Sequence, residues 1–132
     1  MINAPLRVLV AENQYLIAME VERILLDTLG CDVTIAPIAQ LADALATAAF
    51  DVVVIDAALA ESLNVEHSRL VVDAGARPVF LSSYDHFTGS GPLVAAYPVV
   101  AKPPQAEELA AAVLKAVHGQ APSDSEGFLD DR

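Results

Sequence analysis

The sequence predicts an α/β domain in which helices cover both faces of a five-stranded parallel sheet. Short apolar segments rich in β-branched residues alternate with longer segments that have helical spacing, which is the pattern of parallel strands joined by crossover helices. One apolar segment, VVVI at 52–55, is hydrophobic throughout, as is typical of a central strand covered on both faces. The length of 132 residues is that of one domain. We therefore predict a doubly wound protein of five strand-helix units.

Five segments have the composition expected of buried strands, since they are short, mainly apolar and contain β-branched residues. In chain order, the predicted strands are residues 6–11, 31–36, 52–55, 78–81 and 99–101. The third strand ends at Asp56, and the fourth ends at the hydroxyls of Ser82 and Ser83. The fifth is followed by Lys102 and Pro103, and proline does not continue a central strand.

The segments between the strands have helical spacing. The predicted helices are residues 13–29, 40–49, 65–74 and 107–118. Gly30 is placed to end the first helix, because glycine adopts the left-handed conformation found there at little cost. Residues 84–97 form a weaker segment, because Gly89, Gly91 and Pro92 oppose a helix interior. A helix in this segment is predicted to be short, broken or mobile.

Composition and charge exclude several classes of partner and location. Eighteen acidic residues against seven basic ones give a net charge of -11, which repels both phosphate backbones and anionic membrane surfaces. We therefore expect neither nucleic acid nor membrane as a partner. The sequence has no apolar run near the roughly 20 residues needed to cross a bilayer and no signal peptide at its N-terminus. The single cysteine, Cys31, cannot form an internal disulfide, so a cytoplasmic location is expected.

The last fourteen residues differ in composition from the rest of the chain. They contain four acidic residues together with glycine, proline and serine, a composition typical of disordered segments. We predict a disordered acidic tail at 119–132 and a folded domain at 1–118.

Polar side chains stand at the predicted carboxyl ends of the strands, where sheets of this kind bind ligands. They are Glu12, Asn13, Asp56, Ser82 and Lys102. The oxygens of Glu12, Asn13 and Asp56 suit Mg²⁺. A carboxylate beside such a cation can attack a phosphoryl group, with nearby cations neutralising the phosphoryl oxygens. We predict Asp56 as the nucleophile, Lys102 as the neutralising cation and Ser82 as a hydrogen-bond donor to the phosphoryl group.

Four motifs of the sequence resemble the signatures of response-regulator receiver domains. They are RVLVAEN at 7–13, VVVID at 52–56, PVFLSSY at 78–84 and VVAKPPQAEEL at 99–109, in the order and at the separations of that family. The resemblance covers nearly the whole predicted domain and implies a flavodoxin-like fold.

The resemblance also implies a function in two-component signalling. A sensor histidine kinase or a histidine phosphotransfer protein is expected to supply a phosphoryl group to Asp56 from a phosphohistidine. The implied cofactor is Mg²⁺, with metal-binding positions at Glu12, Asn13, Asp56 and Ala58. Phosphorylation is expected to change the face formed by the helix of segment 84–97, the fifth strand and the last helix. Such a phosphoprotein takes part in phosphoryl transfer but is not a turnover enzyme.

Two residues depart from the usual receiver pattern. Asn13 stands where the family normally has a second acidic residue, so weaker Mg²⁺ binding is predicted because a full charge is missing. Val99 stands where many receivers have an aromatic residue that changes rotamer. In having Val99, the weak segment at 84–97 and the sequence PVVAKP, the chain resembles a subgroup of stand-alone receivers. In that subgroup the helix before the fifth strand is poorly formed. In that subgroup, we expect activation to order this segment.

The third departure is the lack of a predicted output domain, so we expect output by protein contact. The first helix offers a candidate contact face at Tyr15, Met19 and Leu26. Ile17, Val21, Ile24 and Thr28 have the core-facing spacing instead. An equally weighted alternative is that the three candidate residues are covered by neighbouring elements or are scattered surface apolar residues.

Two other functions are compatible with the same residues. In a pseudo-receiver, Asn13 has abolished the chemistry and the domain acts only as a protein-binding module. A small phosphatase would also use Asp56, but Ala58 stands where such enzymes have a second aspartate as acid and base.

Overall fold

Five parallel strands form one sheet in the computed structural model, which describes residues 4–83 and 96–118. The strands are β1 (Arg7–Ala11), β2 (Asp32–Ala36), β3 (Val52–Asp56), β4 (Arg77–Ser83) and β5 (Val99–Lys102). Their spatial order is β2-β1-β3-β4-β5. β2 is added on one side of β1, and β3, β4 and β5 are added on the other. Right-handed crossovers in both directions place helices on both faces, so the predicted doubly wound parallel sheet is confirmed.

The helices follow the strands along the chain. They are α1 (Tyr15–Leu29), a 3₁₀ turn (Ile38–Gln40), α2 (Leu41–Thr47), α3 (Glu61–Asp73) and α4 (Ala106–His118). Gly30 ends α1 in the left-handed conformation, with φ of 63°, as predicted. α3 begins four residues before the predicted start at residue 65. Most of the weak segment 84–97, and the predicted tail at 119–132, lie outside the described residues.

Side chains on the two faces of the sheet form two core layers. Along β1, Val8 and Val10 pack with residues of α1 and α4, whereas Leu9 and Ala11 pack with residues of α2 and α3. This alternation follows from the period of two in a strand. Burying a side chain such as Leu9 contributes about 1.5–3 kcal/mol. The central strands are therefore fixed from both faces.

The buried face of α1 differs in part from the predicted one. Val21 and Ile24 are buried, as predicted, and they are joined by Ala18 and Leu25. Thr28 is exposed, so its predicted core position is wrong. Its hydroxyl donates a hydrogen bond to the Ile24 carbonyl, at 2.7 Å, and threonine can be satisfied in this way at a helix surface.

Two further features bear on location and chemistry. Within the described ranges, no helix is both long enough and apolar enough to cross a membrane. Cys31 is buried at the end of α1. Burial raises the pKa of its thiol, and the Asp51 carboxylate adds to the effect, so the thiol is a small core residue rather than a reactive one.

Candidate functional site

Three charged side chains meet at the carboxyl edge of the sheet. β1 and β3 pair with Ala11 opposite Ile55, which brings the next residues, Glu12 and Asp56, to the same edge. β5 lies two strands from β3, about 10 Å away at ordinary strand spacing, and the long side chain of Lys102 spans that gap. Its Nζ lies 2.5 Å from Asp56 Oδ1 and 3.1 Å from Glu12 Oε1.

The two carboxylates differ in their access to solvent. The Glu12 side chain is 0% exposed and the Asp56 side chain is 28% exposed. Glu12 Oε2 accepts a hydrogen bond from the Gln14 backbone N–H at 2.9 Å, and Oε1 contacts Lys102, so both of its oxygens are engaged. Asp56 is therefore the carboxylate that an incoming group can reach, and Glu12 orients Lys102 from within the protein.

Lys102 remains charged in this setting. Its side chain is 12% exposed, and burial by itself lowers the pKa of an ammonium group. Hydrogen bonds and charge interactions with Asp56 and Glu12 outweigh burial and raise the pKa of Lys102 above its usual value. The three side chains together carry a net charge of -1, counting one ammonium and two carboxylates.

Asn13 points to a neighbouring loop. Its Oδ1 accepts a hydrogen bond from the Ile38 backbone N–H at 2.9 Å. Ile38 opens the 3₁₀ turn, and the residue before it, Pro37, supplies no side-chain cap. Asn13 thereby joins the loop after β1 to the loop after β2, and its oxygen does not lie free at the site.

Ser82 lies next to the site but on the other face of β4. Asp56 is in register with Leu81. Ser82 is the next residue, so it lies on the same face of β4 as Phe80 and on the opposite face from Leu81. The residue is 7% exposed, and its hydroxyl donates a long hydrogen bond, 3.4 Å, to the Ser83 carbonyl. The hydroxyl must reorient before it can bond a group on Asp56.

Asn64 is a residue of this region that sequence reasoning missed. It is buried in the first turn of α3, and its amide bonds both the N–H and the C=O of Ala58. No sequence signal marks it, since a single asparagine near a helix start is usually a capping or surface residue.

The donor groups at this edge fit a hard cation in kind, because all of them are oxygens. Two are the carboxylates of Glu12 and Asp56, and two are neutral, the Asn13 amide and the Ala58 carbonyl. Each neutral oxygen already accepts one hydrogen bond and has a second lone pair. In the ranges 4–83 and 96–118, no three or more His, Cys, Asp or Glu residues are grouped so that they could hold a metal ion. The charged donors at this edge are the two carboxylates of Glu12 and Asp56.

The candidate contact face on α1 is solvent-exposed. Tyr15, Met19 and Leu26 are all exposed, and their spacing of four and seven residues aligns them along one side of the helix. Leu16 was not predicted in this set, yet it is 81% exposed. The exposure of these residues rules out cover by the described neighbouring elements, and it fits both a contact face and scattered surface apolar residues.

Solved structures with the same fold include several response-regulator receivers. The signal receiver domain of a modulated diguanylate cyclase from Desulfovibrio desulfuricans G20 is 26% identical, with a TM-score of 0.64 over 88% of this chain and 96% of that domain. The receiver domain of the Erythrobacter litoralis response regulator PhyR is 24% identical, with a TM-score of 0.67 over 92% and 96%. A PhyR stress response regulator is 22% identical, with a TM-score of 0.69 over 87% of this chain and 46% of that protein.

These matches confirm that the chain has the fold of a response-regulator receiver domain, as its four motifs indicated. The chain spans about half the length of three longer PhyR proteins with this fold, covering 46%, 49% and 48% of them. A designed Rossmann-type protein also shares the fold, with 19% identity and a TM-score of 0.53, so the fold alone does not define the chemistry. Neither a protein-family model nor a curated protein sequence matches the chain.

Proposed function

We propose that the protein is a response regulator that accepts a phosphoryl group on Asp56 from a phosphohistidine of a sensor histidine kinase or histidine phosphotransfer protein. The observation that carries this proposal is the convergence of three charged side chains, in which Lys102 contacts the reachable carboxylate of Asp56 and the buried one of Glu12. The similar receiver domains support a response-regulator-like role. In such a role the protein is modified and relays a signal, and it is not a turnover enzyme.

The proposed step is a phosphoryl transfer between two residues. An oxygen of Asp56 attacks phosphorus and forms a P–O bond, the P–N bond to the donor imidazole breaks, and its electron pair stays on the nitrogen. Lys102 supports the step because its ammonium neutralises charge on the phosphoryl oxygens. Ser82 would donate to one of these oxygens after its hydroxyl reorients. Glu12 holds Lys102 in place.

Mg²⁺ is the cofactor that this chemistry implies. Glu12, Asn13, Asp56 and the Ala58 carbonyl would hold it, and when bound it would supply further positive charge to the phosphoryl oxygens. Because one of the four groups is an amide where receivers normally have an acid, weaker binding than in a receiver with two adjacent acids is expected.

Incubation with acetyl phosphate and Mg²⁺, followed by intact-mass measurement, tests the proposal. We expect wild type and Asp73→Ala to gain the mass of one phosphoryl group, and Asp56→Ala to gain none. Asp73 is a matched control because it is an exposed aspartate at the end of α3. An adduct that persists in Asp56→Ala contradicts the assignment of the acceptor.

The phosphodonor is proposed to dock on the exposed side of α1 that carries Tyr15, Met19 and Leu26. Acetyl phosphate needs no docking surface, so Met19→Ala should keep its reaction with acetyl phosphate and lose transfer from a histidine kinase. Leu114→Ala, an exposed leucine on α4, is the control. Equal transfer to both variants, from a kinase that labels wild type, contradicts this docking face.

A pseudo-receiver is the second candidate, and one observation favours it. The Asn13 oxygen already accepts a hydrogen bond from the Ile38 backbone N–H and carries no charge, so it is a weaker metal ligand than a carboxylate. If wild type gains no mass with either donor, the domain acts as a protein-binding module without phosphorylation. Both candidates fit a cytoplasmic protein with one buried thiol.

A further inference from the structure

The loop between β3 and α3 is held by one buried side chain. Asn64 is 3% exposed. Its Oδ1 accepts a hydrogen bond from the Ala58 N–H at 2.8 Å, and its Nδ2 donates one to the Ala58 C=O at 2.9 Å. A single amide therefore satisfies both backbone groups of the residue two positions after Asp56.

The loop has no polar side chain of its own with which to fix this peptide. Residues 57–60 are AALA. Ala57 continues the sheet, since its N–H donates to the Leu81 carbonyl at 2.7 Å. From Ala58 onward, the direction of the backbone depends on the contact with Asn64. The Asn64 side chain is buried, and a buried amide without partners is costly, so this contact selects one orientation of the Ala58 carbonyl.

Helix capping does not account for the contact. The N-cap residue of α3 is Ala60, which makes no side-chain cap hydrogen bond. The Ala60 carbonyl accepts the first helical bonds from Leu63 and Asn64. The side chain of Asn64 instead reaches past the helix start to a residue that lies before it.

We infer that Asn64 is a positioning residue for the site, which fixes the Ala58 carbonyl and the loop beside Asp56 in the arrangement that receives Mg²⁺ and the phosphoryl group. This inference rests on the proposed function. The protein therefore holds the loop in place before a ligand arrives, and a preformed arrangement lowers the reorganisation needed on binding.

Asn64→Leu and Asn64→Ala remove both hydrogen bonds. The matched control is Ser68→Ala, one turn later on α3, because Ser68 is also buried but its hydroxyl bonds only within the helix, to the Val65 carbonyl at 2.8 Å. For each variant, the Mg²⁺ dissociation constant of the unphosphorylated protein is measured by calorimetric titration. The rate of reaction with acetyl phosphate and the thermal midpoint are measured alongside it.

We expect the Asn64 variants to bind Mg²⁺ about tenfold more weakly, as is common when a residue that orients a ligand is lost, and to react more slowly at equal Mg²⁺. Ser68→Ala should leave the Mg²⁺ affinity unchanged. If wild type is phosphorylated but the folded Asn64 variants bind Mg²⁺ with wild-type affinity, this inference is overturned and the proposed function remains intact. A wild type that is not phosphorylated overturns both.

Wild type offers a measurement that does not require any variant to fold. The Ala58 amide lies outside the helices and strands, and its hydrogen bond is to Asn64. It should therefore be protected from hydrogen exchange, since protection reports a stable bond. An Ala58 amide that exchanges as fast as an unprotected one overturns the inference.

Discussion

Replacing Lys102 with methionine should destabilise the protein by about 3 kcal/mol. Methionine keeps most of the length of lysine and removes its charge. The change leaves Glu12, which has a fully buried side chain, and Asp56, which is partly exposed, without their shared counter-ion.

The distances set the scale of this loss. At 3.1 Å between Lys102 Nζ and Glu12 Oε1, the gross attraction is about 5 kcal/mol for an effective dielectric constant near 20. Desolvation of both groups offsets part of it, and removing one partner of a buried pair costs about 3–5 kcal/mol. Water can rehydrate Asp56 but not Glu12, so the value should lie at the low end of that range and come mainly from Glu12.

Urea unfolding followed by far-UV circular dichroism measures the loss. Lys115→Met, on an exposed lysine of α4, should change the free energy of unfolding by less than about 0.5 kcal/mol. The double variant Lys102→Met/Glu12→Gln should be more stable than Lys102→Met by about 1 kcal/mol or more, because no buried charge is left unpaired. The reasoning is refuted if Lys102→Met costs no more than the control, or if Glu12→Gln recovers nothing.

Three more predictions follow from the same structure. Asn13→Asp should bind Mg²⁺ more tightly in a titration, because it adds a charge and keeps an acceptor for the Ile38 N–H; equal affinity contradicts this. The pKa of Lys102 is raised in the folded protein above its usual value of 10.5. The ion pairs of Lys102 therefore stabilise the fold fully below pH 10.5 and progressively less as the pH rises through the folded-state pKa. Urea midpoints between pH 8 and about 11 should thus fall more steeply in wild type than in Lys102→Met, and parallel curves would exclude the effect. Leu25→Ala should lower the free energy of unfolding by about 2–5 kcal/mol, and a loss below that range in urea unfolding would mean that the core adjusts around the cavity.

The convergence of Glu12, Asp56 and Lys102 could be predicted because it depends on topology. Strands that alternate with helices along the chain typically form a parallel sheet, and parallel strands bring their carboxyl ends to one edge. Gly30 could be predicted for a similar reason, since the left-handed end of α1 is a local property of glycine. These features need no knowledge of distant partners.

The roles of Asn13 and Asn64 could not be predicted because they depend on where other backbone groups lie. Asn13 bonds a residue 25 positions away, and Asn64 reaches back past the start of its own helix. The early start of α3 was missed for a related reason. Its first turn, ESLN, has weak apolar periodicity, and the buried amide of Asn64 holds that turn against the loop.

The two asparagines and the three charged residues have complementary physical roles. Lys102 between two carboxylates is a strong but adjustable arrangement, since its charge can be shared with an incoming anion. The contacts of Asn13 and Asn64 are neutral, and a group that arrives at Asp56 changes their strength less than it changes that of an ion pair. The loops at the sheet edge can therefore stay in place while the charges between them are redistributed.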